Sequence, residues 1–228
     1  MLRRIWRIIL KIILWYFILS IATVIIYRFI PPPVTPLMIM RLFEQKSEGK
    51  KMKLKKDWVP LDKISSSLPL AVITSEDQKF EEHFGFDLEA IKKAGKYNER
   101  HKGKKVKGAS TISQQTAKNV FLGPSRSWVR KGFEVYFTFL IEIFWSKERI
   151  MEIYLNEIEM GDGIYGAEAA AQNYFHKPAK KLNNSEAALI ASCLPNPRKW
   201  SPAKPTLYIL RKKDWILRHM RMMDVKDF

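Results

Sequence analysis

The sequence predicts a mainly α-helical domain that follows one membrane-spanning helix. Three observations support this fold class: an apolar run near the amino terminus, a helical spacing of apolar residues beyond it, and the lack of sustained strand-like alternation. The 228 residues allow one domain and little more, because domains usually hold roughly 100 to 200 residues. Hydrophobic residues make up 46% of the chain, which is enough for a core.

The apolar run predicts a membrane anchor at residues 12–30. Sixteen uncharged residues separate Lys11 from Arg28, and residues 8–10 extend the run towards the about 20 residues that a spanning helix needs. No small-residue cleavage site follows, so we expect an uncleaved anchor rather than a removed signal peptide. The basic residues of the predicted tail 1–11 place the amino terminus in the cytoplasm and the domain on the outer side of the membrane.

Prolines and a polar stretch predict a linker over residues 31–57, and the folded domain is expected over residues 58–228. Apolar periodicity then predicts helical segments, and no sheet is expected. The segments are 69–84, 87–101, 110–122, 126–145, 147–158, 165–175, 185–194 and 206–223. The predicted N-caps are Asp87, Ser110, Ser125 and Ser185.

The net charge of +17 is concentrated in two blocks. Residues 1–60 carry 12 Lys and Arg against 3 Asp and Glu, and residues 92–131 carry 12 against 1. Such blocks favour nucleic acid, anionic lipid headgroups or a phosphorylated substrate, and charge does not choose among them. The single cysteine, Cys193, excludes an internal disulfide and a cysteine-based zinc site.

The first candidate for chemistry is the acidic segment that begins at Glu76. On a continuous helix, Glu76, Phe80 and His83 would share one face, with Asp77 beside them. A carboxylate next to an aromatic ring suits proton transfer. A solvated acidic face explains the same spacing and is favoured by spacing alone.

Three further polar clusters lie on predicted helices. Two neighbouring glutamines are poor core residues and need water or a ligand, and a carboxylate beside two cations forms either an ion pair or part of a phosphate site. The clusters are Ser110, Gln114, Gln115, Lys118 and Asn119; Arg130, Lys131 and Glu134; and Lys147, Glu152, Tyr154 and Asn156.

These segments resemble the motifs of the peptidoglycan glycosyltransferase family. Residues 76–85 are similar to EDxxFxxHxG, residues 108–115 to GxSTxxQQ, residues 130–134 to RKxxE, and residues 147–156 to KxxIxExYxN. The later stretches YGAEAAAQNYFHK and SEAALIASCLPNP resemble the closing segments of the family. The chain length matches the monofunctional, biosynthetic kind.

The resemblance implies a lysozyme-like helical domain with a small lobe that dips into the bilayer. It implies lipid II as acceptor, the growing glycan chain as donor, Glu76 as catalytic base and Glu134 as a second catalytic carboxylate. The implied substrate-binding residues are Asp77, Phe80, His83, Ser110, Thr111, Gln114, Gln115, Lys118, Asn119, Arg126, Arg130, Lys131, Lys147, Glu152, Tyr154 and Asn156.

Pyrophosphate is a good leaving group that needs charge neutralisation more than protonation. Lys118, Arg126, Arg130 and Lys131 are candidates for that task, and a divalent cation, Mg or Mn, is a further candidate. Conversion of an α-linked pyrophosphate into a β-1,4 bond suits one direct displacement. Expected partners are lipid II, the growing glycan, the bilayer, and other cell-wall synthesis or division proteins.

Two alternatives stay open from the residues. A lytic glycosidase shares a helical fold and a catalytic glutamate, and an anchored scaffold would use the basic blocks alone to bind anionic lipid. Nucleic-acid binding is not expected, because a spanning anchor places the domain outside the cytoplasm. The anchor itself is expected to retain the protein at the membrane without taking part in the chemistry.

Overall fold

The computed structural model describes residues 2–102, 106–124 and 127–223. These residues contain ten α-helices and three short strands. The helices are α1 (Leu2–Phe29), α2 (Pro36–Ser47), α3 (Ser67–Glu76), α4 (Leu88–Arg100), α5 (Ile112–Phe121), α6 (Trp128–Phe144), α7 (Lys147–Glu157), α8 (Ala167–Phe175), α9 (Asn184–Cys193) and α10 (Leu207–Met220). Short 3-10 helices span Leu61–Lys63 and Ala179–Lys181. The predicted mainly helical fold class is confirmed.

Helix α5 lies at the centre of the domain. It packs against α6 and α7, while α3 packs against α9 and α10. Apolar residues of these helices, such as Leu68, Ile112, Ile141 and Ile150, are fully or almost fully buried. Because α3 and α5 both belong to this core, the polar residues at their adjoining ends are held in a fixed arrangement.

The start of α7 is the predicted Lys147, and the starts of the other predicted helices of the domain differ from the predictions by one or two residues. Asp87 caps α4 as predicted, accepting a hydrogen bond from the backbone N–H of Ala90. Ser110 and Ser185 are not caps, and Ser125 lies outside the described residues. The N-caps of α5, α6 and α9 are Thr111, Ser127 and Asn183. Capping boxes, formed with a residue three positions later, fix the starts of α5 and α9.

The expectation of no sheet is wrong. Strands β1 (Lys55–Lys56), β2 (Glu159–Gly161) and β3 (Ile164–Tyr165) form a small sheet in the order β1-β3-β2. Strand β1 is parallel to β3, and β2 is antiparallel to it. Strands of two or three residues are too short to show alternation in the sequence.

The segment predicted as a linker, residues 31–57, contains both β1 and α2. Thr35 caps α2, Pro36 occupies its first turn, and Leu37 and Met38 are buried where α2 contacts α5. The polar composition of residues 46–57, together with the prolines before α2, led to the prediction of a linker, which did not anticipate this packing. Helix α2 therefore forms part of the wall around the central helix.

Helix α1 is long and apolar enough to cross a membrane between Arg3 and Phe29. Its final turns pack against α6 instead of standing apart from the domain. Ser20 Oγ lies 2.7 Å from the Tyr136 hydroxyl oxygen, and Trp145 Nε1 donates to the carbonyl of the fully buried Val24 at 2.8 Å. The anchor is thus joined to the helix that carries Arg130 and Glu134.

Candidate active site

Two adjacent cavities open beside the ends of α3 and α5. The cationic cavity, of about 450 Å³, includes Lys118 and Arg130 in its wall. The carboxylate cavity, of about 640 Å³, includes Glu76 and Ser110 in its wall. Gln115 and Pro195 line both cavities, so a ligand that fills the two would pass Gln115.

Glu76 is the last residue of α3 and stands where the cavities meet. Gln115 Nε2 donates to Glu76 Oε2 at 3.1 Å, and Ser75 Oγ donates to Oε1 at 3.2 Å. The Tyr154 hydroxyl donates to Gln115 Oε1 at 3.3 Å, which orients the amide. The carboxylate is held in place, and its 14% exposed side chain remains open to the cavity. A carboxylate held and exposed in this way is able to accept a proton from a ligand in the cavity.

The predicted helical face of Glu76, Phe80 and His83 is wrong, because α3 ends at Glu76. Asp77 turns inward instead, and its carboxylate accepts from His83 Nε2 at 2.9 Å and from the Ile112 backbone N–H at 2.9 Å. Asp77 therefore joins the end of α3 to the start of α5. It also lines the carboxylate cavity, with its oxygens already engaged.

Gly85 completes this junction. The Thr111 hydroxyl donates to the Gly85 carbonyl at 2.7 Å, and Gln114 closes the capping box with Thr111. Gly85 has a φ of 76°, and a Cβ at this position would lie 2.8 Å from Thr138 Cγ2. A side chain is excluded both by the backbone and by the close approach to α6.

Lys147, the first residue of α7, also supports the junction of α3 and α5. Its Nζ donates to the His83 carbonyl at 2.7 Å and to Glu142 Oε1 at 2.8 Å, and it lies 4.7 Å from the centroid of the Phe80 ring. Phe80 is fully buried. Phe80, His83 and Lys147 line neither the cationic nor the carboxylate cavity. These three predicted site residues therefore support the junction of α3 and α5 without facing either cavity.

Glu152 and Asn156 hold the segment that precedes α3. The Leu61 backbone N–H donates to Glu152 Oε1 at 3.1 Å, and the Val59 backbone N–H donates to Asn156 Oδ1 at 3.0 Å. Neither side chain lines the cationic cavity or the carboxylate cavity. Their polarity satisfies a buried backbone, which sequence alone does not distinguish from ligand binding.

The cationic cavity has a charge excess suited to an anion. The almost fully buried Glu134 accepts from Arg130 NH1 at 2.7 Å and also from Lys131 Nζ. Burial lowers the pKa of Lys118, and the charge of Glu134 opposes that shift. In the described part of the chain, Lys118 Nζ makes no salt bridge. Among the residues described, the cavity wall carries four cations, Arg41, Lys118, Arg130 and Arg198, against one carboxylate, Glu159. Asn119 also lines this cavity, whereas Arg126 lies outside the described residues.

Sequence analysis did not identify three charged residues that also line the cationic cavity. They are Arg41 of α2, Glu159 of β2 and Arg198. Arg41 Nε lies 3.4 Å from Glu159 Oε2, and Arg198 NH1 lies 3.4 Å from Glu44 Oε2. Burial raises the pKa of Glu159, and Arg41 opposes the rise.

The described residues include no group of three His, Cys, Asp or Glu side chains arranged to hold a metal ion. The carboxylate nearest the cations, Glu134, is already bonded to Arg130 and Lys131. Divalent cations prefer oxygen ligands, and this wall presents mainly nitrogen cations. The residues described therefore do not form a site for Mg or Mn.

The site combines a fixed carboxylate with an adjacent cationic cavity, on a helical domain that follows an apolar amino-terminal helix. The sequence profile of the Transglycosylase family matches residues 44–221. The chain belongs to this family and is an enzyme of glycosyl transfer.

Three relatives support this assignment, each called a biosynthetic peptidoglycan transglycosylase. The protein of Bacteroides thetaiotaomicron is 56% identical, over 97% of this chain and 88% of its own length. The protein of Bdellovibrio bacteriovorus is 54% identical, over 92% of this chain and 83% of its own. The protein of Pseudomonas syringae pv. syringae is 49% identical, over 100% of this chain and 96% of its own.

Proposed function

We propose that this transglycosylase polymerises peptidoglycan by transferring a growing glycan chain from undecaprenyl pyrophosphate to lipid II. The observation that carries the proposal is that Glu76 lines a cavity large enough for a sugar acceptor and is bonded to Gln115, which also lines the adjacent cavity of cations. Family membership and the names of the relatives support the substrate class.

The donor's pyrophosphate would occupy the cationic cavity, against Lys118 and Arg130. Charge develops on the pyrophosphate as the bond to the sugar breaks, and cations held in place before the reaction stabilise that charge. Glu134 is saturated by Arg130 and Lys131 and does not line either cavity. Its role is to hold the two cations in position, which differs from the second catalytic carboxylate that the family resemblance implies.

The acceptor would occupy the carboxylate cavity, with its sugar hydroxyl directed at Glu76. Glu76 takes the hydroxyl proton, the hydroxyl oxygen forms the new bond to the anomeric carbon, and the bond to pyrophosphate breaks. An α-linked donor yields a β-1,4 product in this single displacement. A covalent enzyme intermediate is unnecessary, because the leaving group and the nucleophile lie on opposite sides of the carbon.

A divalent cation would have to be carried by the pyrophosphate oxygens of the substrate, since the described residues form no site for one. Gln115 and Tyr154 keep the Glu76 carboxylate oriented between turnovers. Asp77, Thr111 and His83 fix the junction of α3 and α5, so their contribution is to the precision of the site.

The same proposal places the protein in the bacterial cytoplasmic membrane. The basic residues before α1 would stay in the cytoplasm, and the domain would lie on the outer, periplasmic side. Exposed apolar residues of α6, including Val129, Phe139 and Ile143, lie on the helix that packs against α1. They would enter the outer surface of the bilayer.

The function is tested with the detergent-solubilised full chain in two parallel assays. With lipid II we expect long glycan polymers that a muramidase digests, together with release of undecaprenyl pyrophosphate. With finished peptidoglycan we expect no soluble fragments. Digestion of finished peptidoglycan without polymer formation would instead identify a lytic glycosidase.

A further inference from the structure

Lys212 approaches the proposed base from a helix that none of the recognised motifs covers. It lies on α10, which packs against α3 and α9. Its Nζ is 3.9 Å from Glu76 Oε1, and its side chain is 19% exposed. An ammonium group held that close to a carboxylate interacts with it strongly when both are shielded from water.

The other charged and titratable groups around Glu76 have different tasks. Lys118 of α5 lies in the cationic cavity, where the leaving group is proposed to bind. Burial raises the pKa of Tyr154 on α7 and raises that of Cys193 on α9 to about 11, so both are neutral at pH 7. Asp77 is bonded to His83 and Ile112. The remaining charged residues lining the carboxylate cavity are Lys79, Asp87, Glu89, Lys93 and Lys107.

Donor binding changes this balance. A bound pyrophosphate would neutralise Lys118 and add negative charge near Glu76, and like charges raise the pKa of a carboxyl group. Negative charge added beside the Glu76 carboxylate would repel it and disturb its position. A cation outside the pyrophosphate site, such as Lys212, opposes this change.

We propose that Lys212 is a positioning residue that keeps Glu76 ionised and oriented while the pyrophosphate is bound. The proposal rests on the assignment of Glu76 as base in the proposed function. Burial lowers the pKa of Lys212, and the charge of Glu76 opposes that shift. Lys212 takes no proton from the substrate: the hydroxyl proton goes to Glu76, and the leaving electron pair goes to pyrophosphate.

The test compares Lys212→Met, Lys212→Arg and wild-type protein in lipid II polymerisation at saturating substrate from pH 5 to pH 9. Loss of the cation should move the acidic limb of the rate profile upward by about one pH unit, within the range for removal of a neighbouring charge. Below that limb, Lys212→Met should be roughly tenfold slower than wild type. Lys212→Arg should restore the wild-type limb.

Lys213→Met is the matched control, because Lys213 is adjacent, similarly buried and paired with Asp214. It should leave the limb unchanged. A Lys212→Met variant that is slower by the same factor at every pH, with an unmoved limb, would overturn the proposal and show a structural role. A fully active Glu76→Gln protein would instead overturn the proposed base, so the two failures are distinguishable.

Discussion

Replacing Lys118 with methionine should slow glycan polymerisation by on the order of a hundredfold without destabilising the protein. Four cations line the cationic cavity, Arg41, Lys118, Arg130 and Arg198, and Lys118 is the one of them that makes no salt bridge among the described residues. Removal of one preorganised donor to a developing anion typically costs about 10²–10³ in rate, or about 2.7–4 kcal/mol. Burial lowers the pKa of Lys118, which shows that the folded protein disfavours this charge. Methionine should therefore leave the melting temperature unchanged or raise it.

The assay is the initial rate of lipid II polymerisation in detergent, with the melting temperature measured on the same preparation. Lys63→Ala is the control, since Lys63 is exposed and lines neither cavity. We expect that control to stay within about twofold of wild type, as is usual for a surface side chain outside the site. Equal losses at Lys63 and Lys118 would show that bulk charge alone matters. A large fall in melting temperature would show that Lys118 is structural.

Two further predictions concern stability. Burial raises the pKa of Glu157 from 4.5 to about 7 despite its pairing with Lys56, so ionisation of Glu157 opposes folding. The melting temperature should fall as pH rises from 4.5 through 7, and Glu157→Gln should flatten that fall; equal slopes for both proteins would contradict the assignment. A truncation beginning at residue 31 keeps α2 but removes the Val24 carbonyl that accepts from Trp145, and it should melt more than about 5 °C below one beginning at residue 18. Equal melting temperatures would show that the anchor packs on the domain without stabilising it.

Local patterns predicted the elements that depend on nearby residues. The apolar run before Arg28 identified α1, because length and hydropathy suffice to define a candidate span. Asp87 was recognised as a cap because a short acidic side chain directly before a helical segment can accept a backbone N–H of the first turn. Glu76 was identified in the acidic segment, and Gln115 and Lys118 in a separate polar cluster. The structure places Glu76 in the carboxylate cavity wall, Lys118 in the cationic cavity wall and Gln115 in both.

The end of α3 could not be predicted from spacing. Acidic and aromatic residues continue a helical pattern past Glu76, yet the chain leaves the helix at Asp77. The reason is tertiary: Asp77 bonds to His83 and to the start of α5, and these bonds outweigh local helix propensity. The sheet was missed because its strands are shorter than the period-two pattern needs.

The residues that complete the site come from distant parts of the chain. Arg41 lies in a stretch predicted as linker, and Lys212 lies in the last helix, 136 positions beyond Glu76. Packing of α2 on α5 brings Arg41 to the cationic cavity, and packing of α10 on α3 brings Lys212 close to Glu76. Conversely, Phe80, Lys147 and Asn156 belong to the motifs but line neither cavity and stabilise the surrounding structure instead. Membership of a motif does not distinguish residues that contact a ligand from residues that are buried for structural reasons.

The most direct test of the proposed chemistry is the Glu76→Gln variant in the lipid II assay. Glutamine keeps the size of the side chain and can accept the hydrogen bond from Gln115, but it does not take a proton from the acceptor hydroxyl. We expect polymerisation to fall by at least about 10²-fold, the lower range of general-base contributions, with an unchanged melting temperature. Near wild-type turnover by the folded variant would contradict the central claim that Glu76 is the base.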